Sequence, residues 1–330
     1  MSLSAEALDE AARALEKAED AVLVCHVNPD ADAIGSMLGL AGYLAARGKR
    51  VAASWPNDPA ESPRWIEALP LRDLVVKPGD VPKRPSVLVT LDAADRNRLD
   101  GLVHLLETAG TVICIDHHVT NPGFGHINLV DPERSSTSEI VFTLIEQMGG
   151  EIGPDVAACL YAGIVSDTGR FQYQAAAPET LRIAARLREE PFDHARLAQA
   201  LYEDNSLPYL RLLGTTLERA AFVPEADLVW THLSRADLKE ARVQIQETDD
   251  LIDVIRTARE ADVAAVLKEQ REGGYKVSLR SRGQTDVAAV AATFGGGGHR
   301  LAAGYTSKKP LEESITDLVR ELTAAGSSAG

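Results

Sequence analysis

The sequence predicts an α/β fold: a doubly wound, mainly parallel sheet domain, followed by a smaller α/β C-terminal domain joined to it by a helical linker. Three observations carry this. Short apolar runs rich in β-branched residues alternate with helical stretches through the first half of the chain. Several runs stop abruptly at an acid, most plainly Thr111-Val-Ile-Cys-Ile-Asp116-His117-His118. The pattern then changes near residue 226. Parallel strands covered on both faces read as almost continuous hydrophobic runs, and strand–helix alternation implies parallel pairing. The boundaries that follow are 1–190 for the first domain, 191–225 for the linker and 226–324 for the second domain.

A chain of 330 residues suits two domains. Hydrophobic residues make up 45% and charged residues 25%, the composition of a soluble globular protein. No apolar run approaches a membrane span. The stretch from Ser2 to Asp20 is rich in Ala and Glu and lacks the basic-then-apolar layout of a signal peptide. Cys25, Cys114 and Cys159 lie inside apolar runs without C-x-x-C spacing, which reads as core thiols in a reducing cytoplasm. The formal net charge of −15 argues against a long duplex nucleic acid as partner. From Ala226 onward, 14 basic and 16 acidic residues leave −2, so the part before it carries −13. Clustered carboxylates in the first part would attract cations, and the second part tolerates a phosphate better.

Taken in order, residues 4–19 have the pattern of an amphipathic helix. Ala21 to His26 reads as a strand, and the loop Val27-Asn-Pro-Asp30-Ala-Asp32 leads to a helix from about Ala33 to Arg47 that Gly48 ends. Arg50–Trp55 is a second strand. The proline-rich stretch 56–85 is expected to be irregular around a short helix near Trp65. Val87–Asp92 is another apolar strand ending in an acid, and Leu99–Thr108 is expected to be helical. Ile127–Val130 is a short strand. Ser136-x-x-Glu139 has capping-box spacing and starts a helix to about Met148. Pro154–Val165 is a helix that delivers Asp167 just beyond its end. Pro191–Phe222 has a helical pattern. Leu228–Leu233, Val263–Glu269 and Tyr275–Arg282 are strands, with Gly273-Gly274 as the turn between the last two. A helix near Leu311–Leu322 closes the fold, and the tail 324–330 is expected to be disordered.

Metal-ligating residue types collect at four of these element ends: His26-x-x-x-Asp30-x-Asp32, Asp92, Asp116-His117-His118 and Asp167. A lone Asp after a strand more often caps a helix or fills a turn. A lone His on an apolar strand is more often a satisfied core residue. Four such groups together point to two divalent ions held near one another. Several carboxylates offset the ionic charge, and imidazoles fill the remaining positions and favour Mn²⁺ over Mg²⁺ or Ca²⁺. Such a pair suits in-line phosphoryl displacement.

This ordered set resembles the motifs of the DHH phosphoesterase superfamily. The run Gly295-Gly-Gly-Gly298-His299-Arg-Leu-Ala-Ala-Gly304 resembles the signature of the DHH-associated C-terminal domain. The resemblance spans roughly Ala21 to Leu322, and the layout is most similar to the nano-RNase/pAp-phosphatase branch. It implies two Mn²⁺, with Mg²⁺ or Co²⁺ as substitutes: one held by His26, Asp30 and Asp92, the other by Asp32, Asp92, His117 and Asp167. Asp92 would bridge them. His118 would face the scissile phosphate, and Asp116 would orient the imidazoles.

In the second domain the glycine run can form an anion-binding nest. The resemblance implies that Gly296, Gly297, Gly298 and His299, with Arg280 and Ser281, bind the substrate phosphate or nucleoside. Arg280 can grip a phosphate in bidentate fashion. The implied activity is hydrolysis of short RNA oligonucleotides or dinucleotides such as pApA to nucleoside monophosphates, and of pAp to AMP, in a cleft between the lobes. Rival readings are a cyclic di-AMP phosphodiesterase and a non-catalytic nucleotide sensor. The resemblance also allows a homodimer, and no membrane partner is expected.

Overall fold

Apolar runs from the first part of the chain form one parallel sheet. The computed structural model describes residues 3–59, 62 and 64–327, and its backbone divides into two compact units, Met1–Asp204 and Asn205–Gly330. The first unit contains α1 (Ala5–Lys17), β1 (Asp20–Cys25), α2 (Ala31–Ala46), β2 (Arg50–Ser54), β3 (Val87–Leu91), α3 (Leu105–Thr108), β4 (Thr111–Asp116), β5 (Ile127–Val130), α4 (Thr137–Gln147), α5 (Pro154–Asp167), α6 (Pro178–Leu187) and α7 (His194–Tyr202). Strand order among the described residues is β2-β1-β3-β4-β5, every neighbour parallel.

Alternation along each strand explains why both faces had to be apolar. Leu23, Val89, Ile113 and Ile115 pack into one core with Ile34, Leu38, Ile140 and Leu160 of the helices. Val22, Val24, Leu88 and Val112 point the other way, onto Leu99, Leu102 and Leu105. The doubly wound, mainly parallel sheet is what the sequence predicts. The stretch Leu99–Thr108 is a correction: a 3-10 segment over Arg96–Leu102, itself broken at Asp100 (φ +41°), precedes a single turn of α-helix over Leu105–Thr108. Ser136 caps α4 by accepting from the Glu139 N–H, but the reciprocal half of the expected capping box is absent. The Glu139 carboxylate is instead held by Arg134, the Ser135 hydroxyl and Thr180 of α6.

The second unit contains α8 (Leu207–Glu218), β6 (Ala221–Val223), β7 (Leu228–Leu233), α9 (Arg235–Ala241), α10 (Leu251–Ile255), β8 (Val263–Glu269), β9 (Tyr275–Ser281), α11 (Val287–Thr293), β10 (Gly297–His299), β11 (Ala302–Ser307) and α12 (Leu311–Ser327). Its sheet runs β10-β11-β9-β8-β7-β6 and is mixed, since β7 and β8 are parallel while the other neighbours are antiparallel. One face packs on α11 and α12, the other on α10. Segment 191–225 is divided: α7 belongs to the first unit, α8 and β6 to the second. Phe222, expected in a helix, lies in β6 opposite Val229. The final helix continues to Ser327, past the start of the expected disordered tail, because its apolar residues Ile315, Leu318 and Leu322 are buried and keep it docked. Residues 328–330 of that expectation lie outside the described residues. Among the described residues no helix is long and apolar enough to cross a membrane.

Small residues let α2 and α5 approach closely. A Cβ on Gly35 would fall inside contact distance of the Cys159 carbonyl oxygen and 3.1 Å from the Gly163 nitrogen. Backbone cannot yield as a flexible side chain does, so Gly35→Ala is expected to destabilise the protein by about 1–3 kcal/mol. A lowered urea midpoint at unchanged m-value would show it.

Candidate active site at the strand ends

The carboxyl ends of β1, β3 and β4 deliver the acids and imidazoles to one edge of the first unit's sheet. This is where open α/β sheets place their ligands. Asp92 follows β3 in the left-handed region at φ +56°, an uncommon conformation for a non-glycine residue. Its amide donates to the Ile115 carbonyl at 3.0 Å, which fixes that turn against the neighbouring strand. Its two oxygens then face different partners. Oδ2 lies 3.5 Å from His26 Nε2. Oδ1 lies 3.5 Å from His117 Nε2 and 3.6 Å from His118 Nδ1.

On the first side, His26 Nε2 is also 3.8 Å from Asp30 Oδ2. Asp30 caps α2, its Oδ1 accepting from Asp32 N–H at 3.1 Å and Ala33 N–H at 3.0 Å. On the other side, His117 Nε2 lies 3.0 Å from Asp167 Oδ2, in the last turn of α5 rather than beyond it. Asp32 is fully buried and accepts from the Thr137 N–H at 2.6 Å and the Ser138 N–H at 2.9 Å, the first two amides of α4. Donor atoms of His26, Asp30 and Asp92 lie within 4.8 Å of one another, as do those of Asp32, Asp92 and His117. Asp92 belongs to both groups.

Asp116 stands behind the imidazoles. Its Oδ1 is 2.7 Å from His118 Nδ1 and accepts from the His117 and His118 amides. Its Oδ2 accepts from Asn121 Nδ2 at 2.5 Å. Sequence reasoning missed Asn121, Thr137 and Ser138. Thr137 donates its hydroxyl to Asp92 Oδ1 at 2.9 Å. The Ser136 N-cap marked where α4 begins, but nothing in the sequence said which carboxylate its first amides would meet. Gly163 belongs to the site as well: a Cβ there would approach Asp32 Oδ1 to 2.6 Å and strike Ser138 Oγ.

Electrostatics show that the cluster is short of positive charge. Burial and the charges of Asp92 and Asp167 push Asp32 well above the carboxylate range. Burial would push His26 down, yet hydrogen bonds to Asp30 and Asp92 outweigh it and raise the imidazole to about 10. His117, against Asp167, and His118, against Asp116, are raised over the same opposing desolvation. Burial would also raise Asp92, but the surrounding imidazoles hold it low. Without another cation, protons on the histidines balance the carboxylates. Hard carboxylate oxygens and imidazole nitrogens in this proportion fit divalent cations.

In the second unit, the residues expected to bind substrate divide. Arg280 is partly exposed on β9, with Nε 3.6 Å from Asp253 Oδ1. Ser281 departs from expectation. Its hydroxyl donates to Asp262 Oδ2 at 3.0 Å and accepts from the Gly283 N–H, so it holds the following loop. The glycines do not form a nest. Gly295 (φ +75°) and Gly296 end α11, their amides donating to the Ala292 and Ala291 carbonyls, a Schellman arrangement. Gly297, Gly298 and His299 then form β10, paired with Gly304, Ala303 and Ala302 of β11. A Cβ on Gly298 would lie 2.5 Å from the Ala302 oxygen, so close strand approach is what requires glycine there.

The chain is similar to known proteins over most of its length. Residues 20–164 match the model of the DHH family, N-terminal domain, and residues 238–326 match the DHHA1 domain. The chain is 38% identical over 309 residues to the bifunctional oligoribonuclease and PAP phosphatase NrnA of Thermus thermophilus, covering 92% of this chain and 90% of that protein. It is 32% identical over 311 residues to the probable bifunctional oligoribonuclease and PAP phosphatase NrnA of Streptococcus mutans, covering 93% and 95%. Among solved structures it is similar to an exopolyphosphatase-related protein from Bacteroides fragilis, with TM-score 0.92, 28% identity and coverage of 99% and 98%.

Two expected outcomes follow from the side chains that sequence reading did not assign. Thr137→Val removes the hydroxyl that orients Asp92, and a tenfold or greater loss of divalent-cation affinity by titration calorimetry is expected, as for other outer-shell partners. Asp262 accepts from Gln284 N–H, Thr285 N–H and the Ser281 hydroxyl. Burial opposes these bonds, but together they hold its carboxyl below the ordinary value of 3.8. The stabilisation is therefore present above pH 3.8 and is lost as pH falls through the lower folded value. Asp262→Ala is expected to cost about 1–3 kcal/mol at pH 7, with a smaller deficit at pH 3 in urea denaturation.

Proposed function

From the premise that this chain belongs to the DHH family, we propose that it hydrolyses linear dinucleotides and short oligoribonucleotides such as pApA to nucleoside monophosphates, and pAp to AMP. The enzyme is a metal-dependent phosphoesterase. One observation carries the mechanism: Asp92 turns one oxygen toward the His26–Asp30 group and the other toward the His117–Asp167 group. A carboxylate so placed is suited to be shared by two cations.

His26, Asp30 and Asp92 would hold one ion, and Asp32, Asp92, His117 and Asp167 the other. A pair of Mn²⁺ ions there, with Mg²⁺ or Co²⁺ as substitutes, supplies the positive charge that in-line displacement at phosphorus requires. The chain's own residues do the rest. Asp32 is fixed by two helix amides and Asp92 by Thr137, so the donor oxygens do not reorganise when charge develops. Asp116 orients His118 through Nδ1, leaving Nε2 as the atom suited to give a proton to the leaving oxygen. Asn121 holds Asp116 in turn. In the second unit, Arg280, Gly296–Gly298 and His299 would bind the distal phosphate or nucleoside, with Ser281 a support of that loop.

The test is turnover of pAp, pApA, pGpG, short RNA, cyclic di-AMP and pyrophosphate with Mn²⁺, compared as kcat/KM. Linear dinucleotides and pAp are expected to lead. Dominant cyclic di-AMP cleavage would replace the substrate reading, and no turnover of any nucleotide would make the protein a sensor. Asp92→Asn and His117→Ala are expected to lower kcat/KM on pApA at least 10³-fold, while His118→Ala keeps cation binding and lowers kcat. Full activity in Asp92→Asn would defeat the shared-carboxylate mechanism.

A further inference from the structure

Asn28 lies in the loop between β1 and α2, midway between His26 and Asp30, and has no part in the scheme above. It is left-handed at φ +54° and precedes the buried Pro29. The residue before a proline ordinarily takes an extended conformation, and the left-handed region is uncommon outside glycine. An asparagine tolerates it better than most residues, but such a turn persists only where its surroundings hold it. Asn57 supplies that hold. Its Oδ1 accepts from the Asn28 N–H at 2.6 Å, and its Nδ2 donates to Asn28 Oδ1 at 2.9 Å.

Strand pairing explains why a residue so distant in sequence is at hand. Val24 is paired with Ser54 in the parallel register of β1 and β2, so the chain leaves the two strands side by side. Trp55 is 1% exposed and packs into the core, so the segment that carries Asn57 starts from a fixed point. From the β3 side, the Arg98 carbonyl accepts from the Val27 N–H at 2.9 Å. The loop is thus tied toward both neighbouring strands. What it carries is Asp30, whose Oδ1 caps α2 and whose Oδ2 lies 3.8 Å from His26 Nε2. Were Asn28 to relax to the extended region, these two donor atoms would part.

We infer that Asn57 is a positioning residue for the first cation group: by clamping the left-handed turn at Asn28 it keeps the Asp30 carboxylate within reach of His26. This rests on the two-cation reading above and adds a residue from beyond β2, a strand that supplies no donor to either group. Asn57 acts through the loop backbone and is not itself a ligand. The other group does not lean on it, because Asp32 is anchored separately by the Thr137 and Ser138 amides. An effect confined to one of two cations is therefore the mark of this role.

The test uses the full chain with Asn57→Ala, alone and combined with Asn28→Gly. Glycine adopts positive φ without steric cost, so it lessens the need for a clamp. Mn²⁺ titration calorimetry without nucleotide is expected to show two binding events in wild type. In Asn57→Ala one is expected to weaken about tenfold or more while the other stays within about twofold, and the double variant is expected to recover about threefold or more of the loss. Hydrogen exchange in the metal-free Asn57→Ala protein is expected to quicken over 26–30 and not in α4. Wild-type affinity for both ions in Asn57→Ala would overturn the inference. So would equal weakening of both, which would make Asn57 a general support of the fold, or a double variant no better than Asn57→Ala. If wild type bound two ions but cleaved no nucleotide, the function reading would fail, while selective loss in Asn57→Ala would still support this one.

Discussion

Everything at the strand ends depends on one buried carboxylate held in an uncommon backbone conformation. Asp92 leaves β3 at φ +56°, and its amide is fixed by the Ile115 carbonyl on the adjoining strand. That turn points the side chain across the sheet edge, between His26 from β1 and the two histidines after β4. A left-handed non-glycine residue costs of order 1 kcal/mol or more and persists where its surroundings over-determine it. Here the surroundings are the parallel sheet itself. The β1–β3 and β3–β4 registers set where each strand stops, so the spacing of His26, Asp92 and His117 is a property of strand pairing.

Much of the fold was legible for the same reason. Strands buried on both faces cannot hide in sequence, and Val87–Leu91 or Thr111–Ile115 is apolar at every or nearly every position. What could not be read were features decided by partners distant in the chain. Glu139 has capping-box spacing, but Arg134 and Thr180 offer its carboxylate stronger bonds than the Ser136 amide. Leu99–Thr108 has helical periodicity, yet its apolar residues are drawn onto the underside of the sheet by a 3-10 turn with a break at Asp100. The four glycines suggest freedom, while two of them terminate α11 and the next pair with β11. Glycine was needed there for close approach and for positive φ, and neither need reveals a ligand.

At the site, residue types at element ends were enough to name the acids and imidazoles, since charged groups ending buried strands are rarely accidental in number. The supporting polar groups were hidden. Asn121 and Thr137 are ordinary residues in ordinary segments, and only the fold brings their side chains to Asp116 and Asp92. Ser281 is tied inward. Its place beside Arg280 suggests an outward role, but the buried Asp262 takes its hydroxyl.

The two donor groups are built differently, and the difference bears on how cations enter. Asp32 is sealed, both oxygens held by α4 amides, whereas the Asp30 side chain is 54% exposed and anchored through only one oxygen. A ligand fixed by two backbone amides cannot swing out to meet an ion; a half-exposed carboxylate can. The group of His26, Asp30 and Asp92 is thus the adaptable half, and the group of Asp32, His117 and Asp167 the rigid one. Asp92 faces both groups, one oxygen toward His26 and the other toward His117, so it would be the carboxylate common to both if each held a cation. The sealed half would therefore need no rearrangement to hold a cation, and the open half, where Arg98 Nη2 meets His26 Nδ1, is the one whose carboxylate is free to move.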